Sequence, residues 1–310
     1  MSDSTPMRAA IVGVGRMGRV HLEALEGSAF VRVVAAVDPR ESVRAELAGR
    51  GLVAHAALED LLGAGGFDLA IIAAPSDQHR QLVATLLGAG VPVLCEKPCG
   101  LASTDAAACL DAAGRSGTPL QVAYWRRYVP ALVELRQRLL AGELGELLSL
   151  HCAQWDLAPP PTGFRLTSGG IFLDMGVHEF DQLRWLSGGE LSTLCSVSGP
   201  ALDPGAPDDP DWAQVVGRLG SGATVVVSLG RWYPAGDTCK VEVFGTAGSR
   251  ELVFLDPASG EETFHAAIRR QAEDFAASLA GRASTGGASA ADAVAALSLA
   301  ERAAAAGPSS

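Results

Sequence analysis

Over residues 1–123, short apolar runs alternate with stretches of helical spacing. This alternation restricts the fold more than any other feature of the chain. Residues 8–14, 31–37, 52–54, 67–74, 91–95 and 120–123 read as strands, rich in Ile, Val, Leu and Ala. Between them, 16–27, 39–49, 58–62, 77–88 and 103–116 have helical spacing. The 39–49 stretch opens on Pro39 and closes on Gly49, the asymmetry expected of helix ends. Strand–helix–strand units of this length imply right-handed crossovers and a parallel sheet. The prediction for 1–123 is an α/β domain with a doubly wound parallel sheet.

From residue 124 the pattern changes. Helices are expected at 130–141 and 170–186, and strands at 147–155, 191–198, 212–219, 223–229, 239–244 and 250–254. Short turns such as Gly220-Ser221-Gly222 and Thr246-Ala247-Gly248 join several of these strands and predict hairpins. Residues 124–310 therefore read as an α+β domain with a largely antiparallel open sheet. Two alanine-rich helices, 264–280 and 288–304, close it, with a flexible linker at 284–288. The Pro-rich segments 158–161 and 204–210 are expected to be surface loops.

The turn after the first strand reads Gly13-Val14-Gly15-Arg16-Met17-Gly18, a G-x-G-x-x-G pattern. Such a match is weak by itself, but here it ends a strand, opens a helix and is followed 20 residues after Gly18 by Asp38. Gly13 permits the tight turn, Gly15 lets the backbone approach a pyrophosphate, and Gly18 lets helix and strand pack closely. Free N–H groups at Arg16 and Met17 face the phosphates. Together these features predict a Rossmann domain that binds a dinucleotide. Asp38 can accept hydrogen bonds from the ribose hydroxyls, which favours NAD over NADP; Arg40 softens that discrimination. Ala74 and Pro75, at the end of the most apolar strand, are expected beside the nicotinamide half. His79, on the following helix, is read as a surface residue.

Two further groups of residues carry chemistry. Glu96-Lys97-Pro98 follows the 91–95 strand directly, so Lys97 is either a proton-transfer group in the cofactor crevice or a surface lysine in a loop. Asp174 and His178 lie four apart behind Gly169-Gly170. On one helix face they can serve as metal ligands, as an acid/base pair or as a plain surface pair. No third ligand stands at zinc-site spacing, so no metal is expected.

In their order and spacing, the 13–18 fingerprint, Ala74-Pro75, Glu96-Lys97-Pro98 and Gly169-Gly170 with Asp174 and His178 resemble the Gfo/Idh/MocA family. That family includes the glucose–fructose oxidoreductases and inositol dehydrogenases. The resemblance spans most of the chain. It implies a Rossmann domain followed by an α/β domain whose open sheet forms oligomer contacts, hence a homodimer or homotetramer. It also implies hydride transfer between a nicotinamide cofactor and a sugar or cyclitol, with Lys97, Asp174 and His178 catalytic and His178 handling the hydroxyl proton. Glu96 and Arg165 are then expected near the cofactor. Tyr124-Trp125-Arg126-Arg127-Tyr128 resembles the inositol dehydrogenase pattern, in which Arg126 binds vicinal hydroxyls and Trp125 stacks on a ring face. Asp156 and Tyr233, at strand ends, are candidates to complete the substrate pocket. A reductase of keto-sugars, nucleotide sugars included, is the enzyme alternative; a non-catalytic dinucleotide sensor is the alternative from another class.

Bulk properties exclude other classes. A net charge of −11 without a Lys/Arg run argues against nucleic acid or an anionic membrane surface as partner. No apolar run reaches about 18 residues, and no basic-then-apolar leader is evident, so a cytoplasmic protein is expected. The six cysteines lie in apolar segments without a C-x-x-C pair and are expected to be small buried hydrophobes in a reducing compartment.

Overall fold

The computed structural model describes residues 5–282, 284–285 and 287–306. The chain divides into two compact units. One runs to Gly100, resumes over Thr104–Trp125 and takes in His265–Ala293; the other comprises Leu101–Ser103, Arg126–Phe264 and the chain from Val294 on.

In the first unit strands and helices alternate as the sequence predicts: β1 Met7–Val12, α1 Arg16–Leu25, β2 Val31–Val37, α2 Glu41–Gly49, β3 Val53–His55, α3 Leu58–Ala64, β4 Leu69–Ile72, α4 His79–Gly88, β5 Val93–Glu96, α5 Ser103–Ser116 and β6 Leu120–Ala123. The six strands form one all-parallel sheet in the order β3-β2-β1-β4-β5-β6. Strand order reverses between β1 and β4, and ligands of open α/β sheets sit at the carboxyl ends of strands at such a switch point. The chain there is Gly13 on one side and Ala73-Ala74 on the other. Burial explains the continuous apolar runs: all four residues of β4 and of β5 are buried, and so are Ala9, Ala10, Ile11 and Val12 of β1. A helix covers each face of such strands, so no polar alternation is needed.

The second unit holds α6 Pro130–Leu140, β7 Leu147–Trp155, α7 Thr162–Arg165, a π-helical turn Phe172–Gly176, α8 Val177–Ser187, β8 Leu191–Ser198, β9 Trp212–Leu219, β10 Thr224–Gly230, β11 Thr238–Gly245 and β12 Gly248–Leu255. The chain ends with α9 Gly260–Leu279 and α10 Ala290–Ala305. From His265 on, α9 belongs to the first unit, where Ala272, Phe275 and Ala276 join the apolar core around β1 and β2. The second sheet has the order β12-β11-β7-β10-β9-β8. It is antiparallel except for the β7–β10 pair, which is parallel. Its inner face carries Leu150, Cys152, Val215, Val225, Val227, Val241 and Val243, all buried. They pack under α8, in which Val177, Phe180 and Leu183 are fully enclosed. A helix buried along most of its length cannot be amphipathic, which is why its sequence lacks a clean polar stripe.

Several expectations need correction. The 170–186 segment is not one regular helix, because a π-turn precedes α8. The helix expected at 77–88 opens with a 3-10 turn, Ser76–Gln78. The 204–210 loop is not wholly on the surface, since Ala206 and Asp209 are buried and draw arginines inward. Five cysteines are buried as expected, but Cys195 is exposed. Of the linker expected at 284–288, residue 286 lies outside the described residues, whereas Ala288 pairs with Val122 of β6, its C=O accepting the Val122 N–H at 2.9 Å. Residues 1–4 and 307–310 also lie outside the described residues. Among the described residues no helix is long and apolar enough to cross a membrane, and no group of three or more His, Cys, Asp or Glu side chains is placed to hold a metal ion.

Candidate active site

The fingerprint glycines of the first unit behave as three different devices. Gly13 has φ +90°, and a Cβ there would lie 2.6 Å from the Ala74 backbone. A Cβ on Gly18 would lie 2.1 Å from the Gly13 carbonyl oxygen. Gly15 faces open space, with nothing within 4 Å of where a Cβ would stand. Two glycines are thus required by the protein's own packing, and the third leaves the backbone bare. That is the arrangement a pyrophosphate needs at the start of a helix whose first N–H groups have no side-chain cap.

Asp38 is 2% exposed at the end of β2. Its Oδ2 accepts the Val14 N–H at 3.0 Å and a guanidinium N–H of Arg40 at 2.8 Å; Oδ1 accepts Arg40 Nε and backbone N–H. The hydrogen bonds from Arg40 hold this carboxyl down at about 2, against the burial that would raise it. It is therefore ionised across the neutral range, with two donors on each oxygen, from Arg40 and the Val14 N–H. The Arg40 side chain is bound to Asp38 and is otherwise more than half exposed.

Lys97 follows β5 and is half-buried, ahead of a cis peptide bond to Pro98. Its neighbour Glu96, expected at the cofactor, is turned to the protein instead: Oε1 lies 2.8 Å from His21 Nε2 and Oε2 accepts the Lys97 N–H at 3.3 Å. His79, expected on the surface, is 1% exposed. Its ring nitrogens lie 2.7 Å from the Pro98 carbonyl and 2.8 Å from that of Ala74. A helical histidine four residues beyond Ala74-Pro75 points back at the strand end, so its ring meets carbonyls and not solvent. Pro75 is exposed, Arg16 is exposed and Met17 is half-buried. Trp125 is 7% exposed, packed in the first unit.

In the second unit Asp174 sits in the π-turn and His178, 8% exposed, in the first turn of α8. The wider turn changes the regular i,i+4 relation assumed from the sequence; π-turns inside helices are frequent at functional sites. Asp174 Oδ2 accepts Arg231 Nη1 at 3.3 Å, and Arg231 Nη2 reaches Asp209 Oδ2 at 3.1 Å. Arg165, expected on a loop beside the cofactor, is buried and donates to Asp209 Oδ2 at 2.8 Å and Asp211 Oδ1 at 3.1 Å. Two guanidiniums and three carboxylates thus form one alternating chain that ends on Asp174. Asp209 and Asp211 were not singled out from the sequence as site residues. The available signal was the acidic loop at 208–211 itself, which lies 44 residues from Arg165 and 22 from Arg231, counted to Asp209.

Arg126 also departs from expectation. Its donors do not face outward: Nη1 donates to Glu179 Oε1 at 2.6 Å and Gln182 Oε1 at 3.2 Å, and Nη2 donates to Gln154 Oε1 at 2.7 Å. Gln154 in turn donates to Asp156 Oδ1 at 3.0 Å. Burial raises the Asp156 carboxyl above its ordinary value, opposed by the Gln154 hydrogen bond and reinforced by Asp237 and Asp174 nearby. Arg127 is bound by Asp181 at 2.6 and 3.0 Å. Tyr233 is 40% exposed, and its N–H donates to the Asp156 carbonyl at 2.8 Å. Asp156 and Asp174, both expected at the substrate, are therefore the ends of two separate arginine-based supports.

Residues 7–124 match the family described as "Oxidoreductase family, NAD-binding Rossmann fold", and residues 132–251 match "GFO/IDH/MocA C-terminal domain". The chain belongs to the Gfo/Idh/MocA family. It is 45% identical over 300 residues to the "Rhizopine catabolism protein MocA" of Rhizobium meliloti, covering 96% of this chain and 94% of that protein. It is 35% identical over 250 residues to "Myo-inositol dehydrogenase Hyg17" of Streptomyces leeuwenhoekii, covering 79% and 76% of the two chains. Among solved structures, a putative myo-inositol dehydrogenase from Sinorhizobium meliloti 1021 superposes with a TM-score of 0.89 at 28% identity, over 96% of each chain. This Gfo/Idh/MocA member is an oxidoreductase with an NAD-binding Rossmann domain, and the glycine cradle described above fits that cofactor.

Proposed function

We propose that this family member is an NAD-dependent dehydrogenase that oxidises a secondary hydroxyl of a cyclitol, in the manner of an inositol 2-dehydrogenase. The observation that carries the proposal is Asp174 and His178 at one π-turn-to-helix junction, with Asp174 clamped by a fully buried arginine. Inositol dehydrogenases recur among the chain's relatives and support the substrate class.

When bound, NAD+ supplies the hydride acceptor. The protein's part is to bind and orient the carbinol and to move its proton. His178 takes the hydroxyl proton as the C–H hydride departs, leaving a carbonyl and one proton on the imidazole; an imidazole suits this work near neutral pH. Lys97, on the turn after β5, is the lysine that the family resemblance makes catalytic, and its cation serves to stabilise charge developing on a reacting oxygen. Asp174, held by Arg231, orients the substrate hydroxyl against His178. Asp156, supported through Gln154 by Arg126, binds a neighbouring hydroxyl. Ketone reduction is the same sequence reversed.

A sugar-nucleotide reductase would need arginines to spare for a diphosphate. Arg126, Arg127, Arg165 and Arg231 all have carboxylate partners within the second unit, which favours an uncharged polyol. We further propose self-association through the outer face of the second sheet, where Val197, Trp212, Val216, Phe244 and Val253 are exposed on one side. Sedimentation of Trp212→Glu as a monomer, with the wild type larger, is expected; two identical profiles contradict it.

The test of function is NADH formation at 340 nm from NAD+ with myo-inositol, scyllo-inositol and glucose. Turnover of a cyclitol, lost in Lys97→Ala and His178→Ala, is expected. A wild type that binds NADH but turns over no polyol contradicts the reading.

A further inference from the structure

Two buried histidines bracket the turn that carries Lys97, and the chemistry above uses neither. His21 lies on α1, one turn beyond the fingerprint glycines, and is 0% exposed. A carboxylate oxygen only accepts, so His21 Nε2–H donates to Glu96 Oε1 at 2.8 Å. The other Glu96 oxygen accepts the backbone N–H of Lys97. On the far side of Lys97, the His79 ring spans the carbonyls of Pro98 and Ala74 at 2.7 and 2.8 Å. A neutral ring donates to one of the two, and a protonated ring to both.

The two contacts tie the Lys97 turn to different walls of the dinucleotide crevice. Through His21 it is joined to the helix that opens at the phosphate turn. Through His79 it is joined to Ala74, whose backbone packs against Gly13 so closely that a Cβ on Gly13 has no room. Lys97 therefore cannot shift along the crevice without breaking a buried hydrogen bond on one side or the other. Such a bond is expensive to leave unmade, because the partner stays desolvated.

We propose that His21 and His79 are positioning residues that hold the Lys97 ammonium in register with the dinucleotide. This rests on the reading of Lys97 as a catalytic group. Positional errors of about 1 Å at a reacting centre cost on the order of 100-fold in rate. His79→Phe keeps the ring and removes both polar contacts. Its kcat for the cyclitol turned over by the wild type is expected to fall about 10- to 100-fold, with KM and NADH affinity changed by less than about threefold. His79→Gln, which retains an N–H donor, should recover most of the loss. Because the effect acts through Lys97, Lys97→Ala/His79→Phe should be no slower than Lys97→Ala. A folded His79→Phe enzyme with wild-type kcat, or a double variant slowed by the full product of the single effects, overturns the proposal. If Lys97→Ala is fully active, the catalytic reading of Lys97 fails instead.

A second measurement needs no substrate. Lys97 and Lys240 are the only lysines in the sequence. Reductive 13C-methylation therefore gives one resonance for each besides the α-amine, and Lys97→Ala assigns them. In His79→Phe and His21→Phe, with NADH bound, the Lys97 resonance should move and broaden while that of Lys240 stays. A Lys97 resonance identical to wild type in both variants overturns the proposal. If His79→Phe does not fold, His79→Gln and His21→Phe carry the same comparison.

Discussion

Replacing Arg231 by Met separates the structural from the catalytic part of the Asp174 support. Arg231 is fully buried, with Nη1 3.3 Å from Asp174 and Nη2 3.1 Å from Asp209. Removing one partner of a buried ion pair costs about 3–5 kcal/mol when the other charge is left uncompensated. Here Asp209 keeps Arg165 at 2.8 Å, and the Asp174 side chain is 15% exposed. Both features place the cost near the lower end, at about 3 kcal/mol. Urea unfolding should show a lower midpoint with an unchanged slope, since the surface exposed on unfolding is the same. Asp174, freed from its clamp, should orient substrate less well, and kcat should drop about tenfold, equivalent to about 1.4 kcal/mol in the barrier. NADH affinity should hold, because the Asp38 and glycine contacts belong to the first unit. An Arg231→Met enzyme with wild-type midpoint and wild-type kcat would refute the reasoning.

Asp38→Asn removes a carboxylate held at about 2 against an ordinary 3.8. A depression of that size corresponds to about 2 kcal/mol, nearer about 1 kcal/mol given the solvent around Arg40. That stability is present in full above pH 3.8 and is lost as pH falls through about 2. The variant should therefore be less stable than wild type at pH 6, with the difference shrinking as pH falls through about 2 and vanishing below it, and its preference for NAD+ over NADP+ should narrow; equal stability at pH 6 contradicts this. Gly15→Ala should leave the melting temperature unchanged and weaken NADH binding about tenfold or more, as a Cβ enters space reserved for the pyrophosphate. Gly18→Ala should lower the melting temperature, because its Cβ meets the Gly13 carbonyl. Reversal of that contrast, read by differential scanning fluorimetry with and without NADH, would contradict the assigned glycine roles.

The parallel sheet was legible because its strands are buried on both faces and its helices on one, so periodicity alone separates them. Gly13, Gly15, Gly18 and Asp38 were legible because a local turn needs those residue types at those spacings. What the sequence hid is of another kind. Arg126 and Arg165 look like substrate and cofactor ligands until Glu179, Asp209 and Asp211, 44 to 53 residues away in the chain, are seen to hold them. His79 looks exposed until the strand-end carbonyls it faces are in place. The π-turn at Asp174 leaves no signal in hydrophobic spacing, because the whole segment is buried apart from Asp174 itself. Local rules report local geometry, whereas long-range charge pairing is decided only by the assembled fold.

The function proposed for this chain is hydride transfer from a cyclitol C–H to NAD+, with His178 taking the hydroxyl proton. It is tested most directly by incubating the enzyme with NAD+ and carbon-deuterated myo-inositol or scyllo-inositol and weighing the NADH formed by mass spectrometry. NADH carrying a single deuterium atom, delivered as deuteride, is expected, with a rate that falls at least about 100-fold in His178→Ala. Wild-type enzyme that forms no NADH from either cyclitol, or a His178→Ala variant that forms it at the wild-type rate, would contradict it.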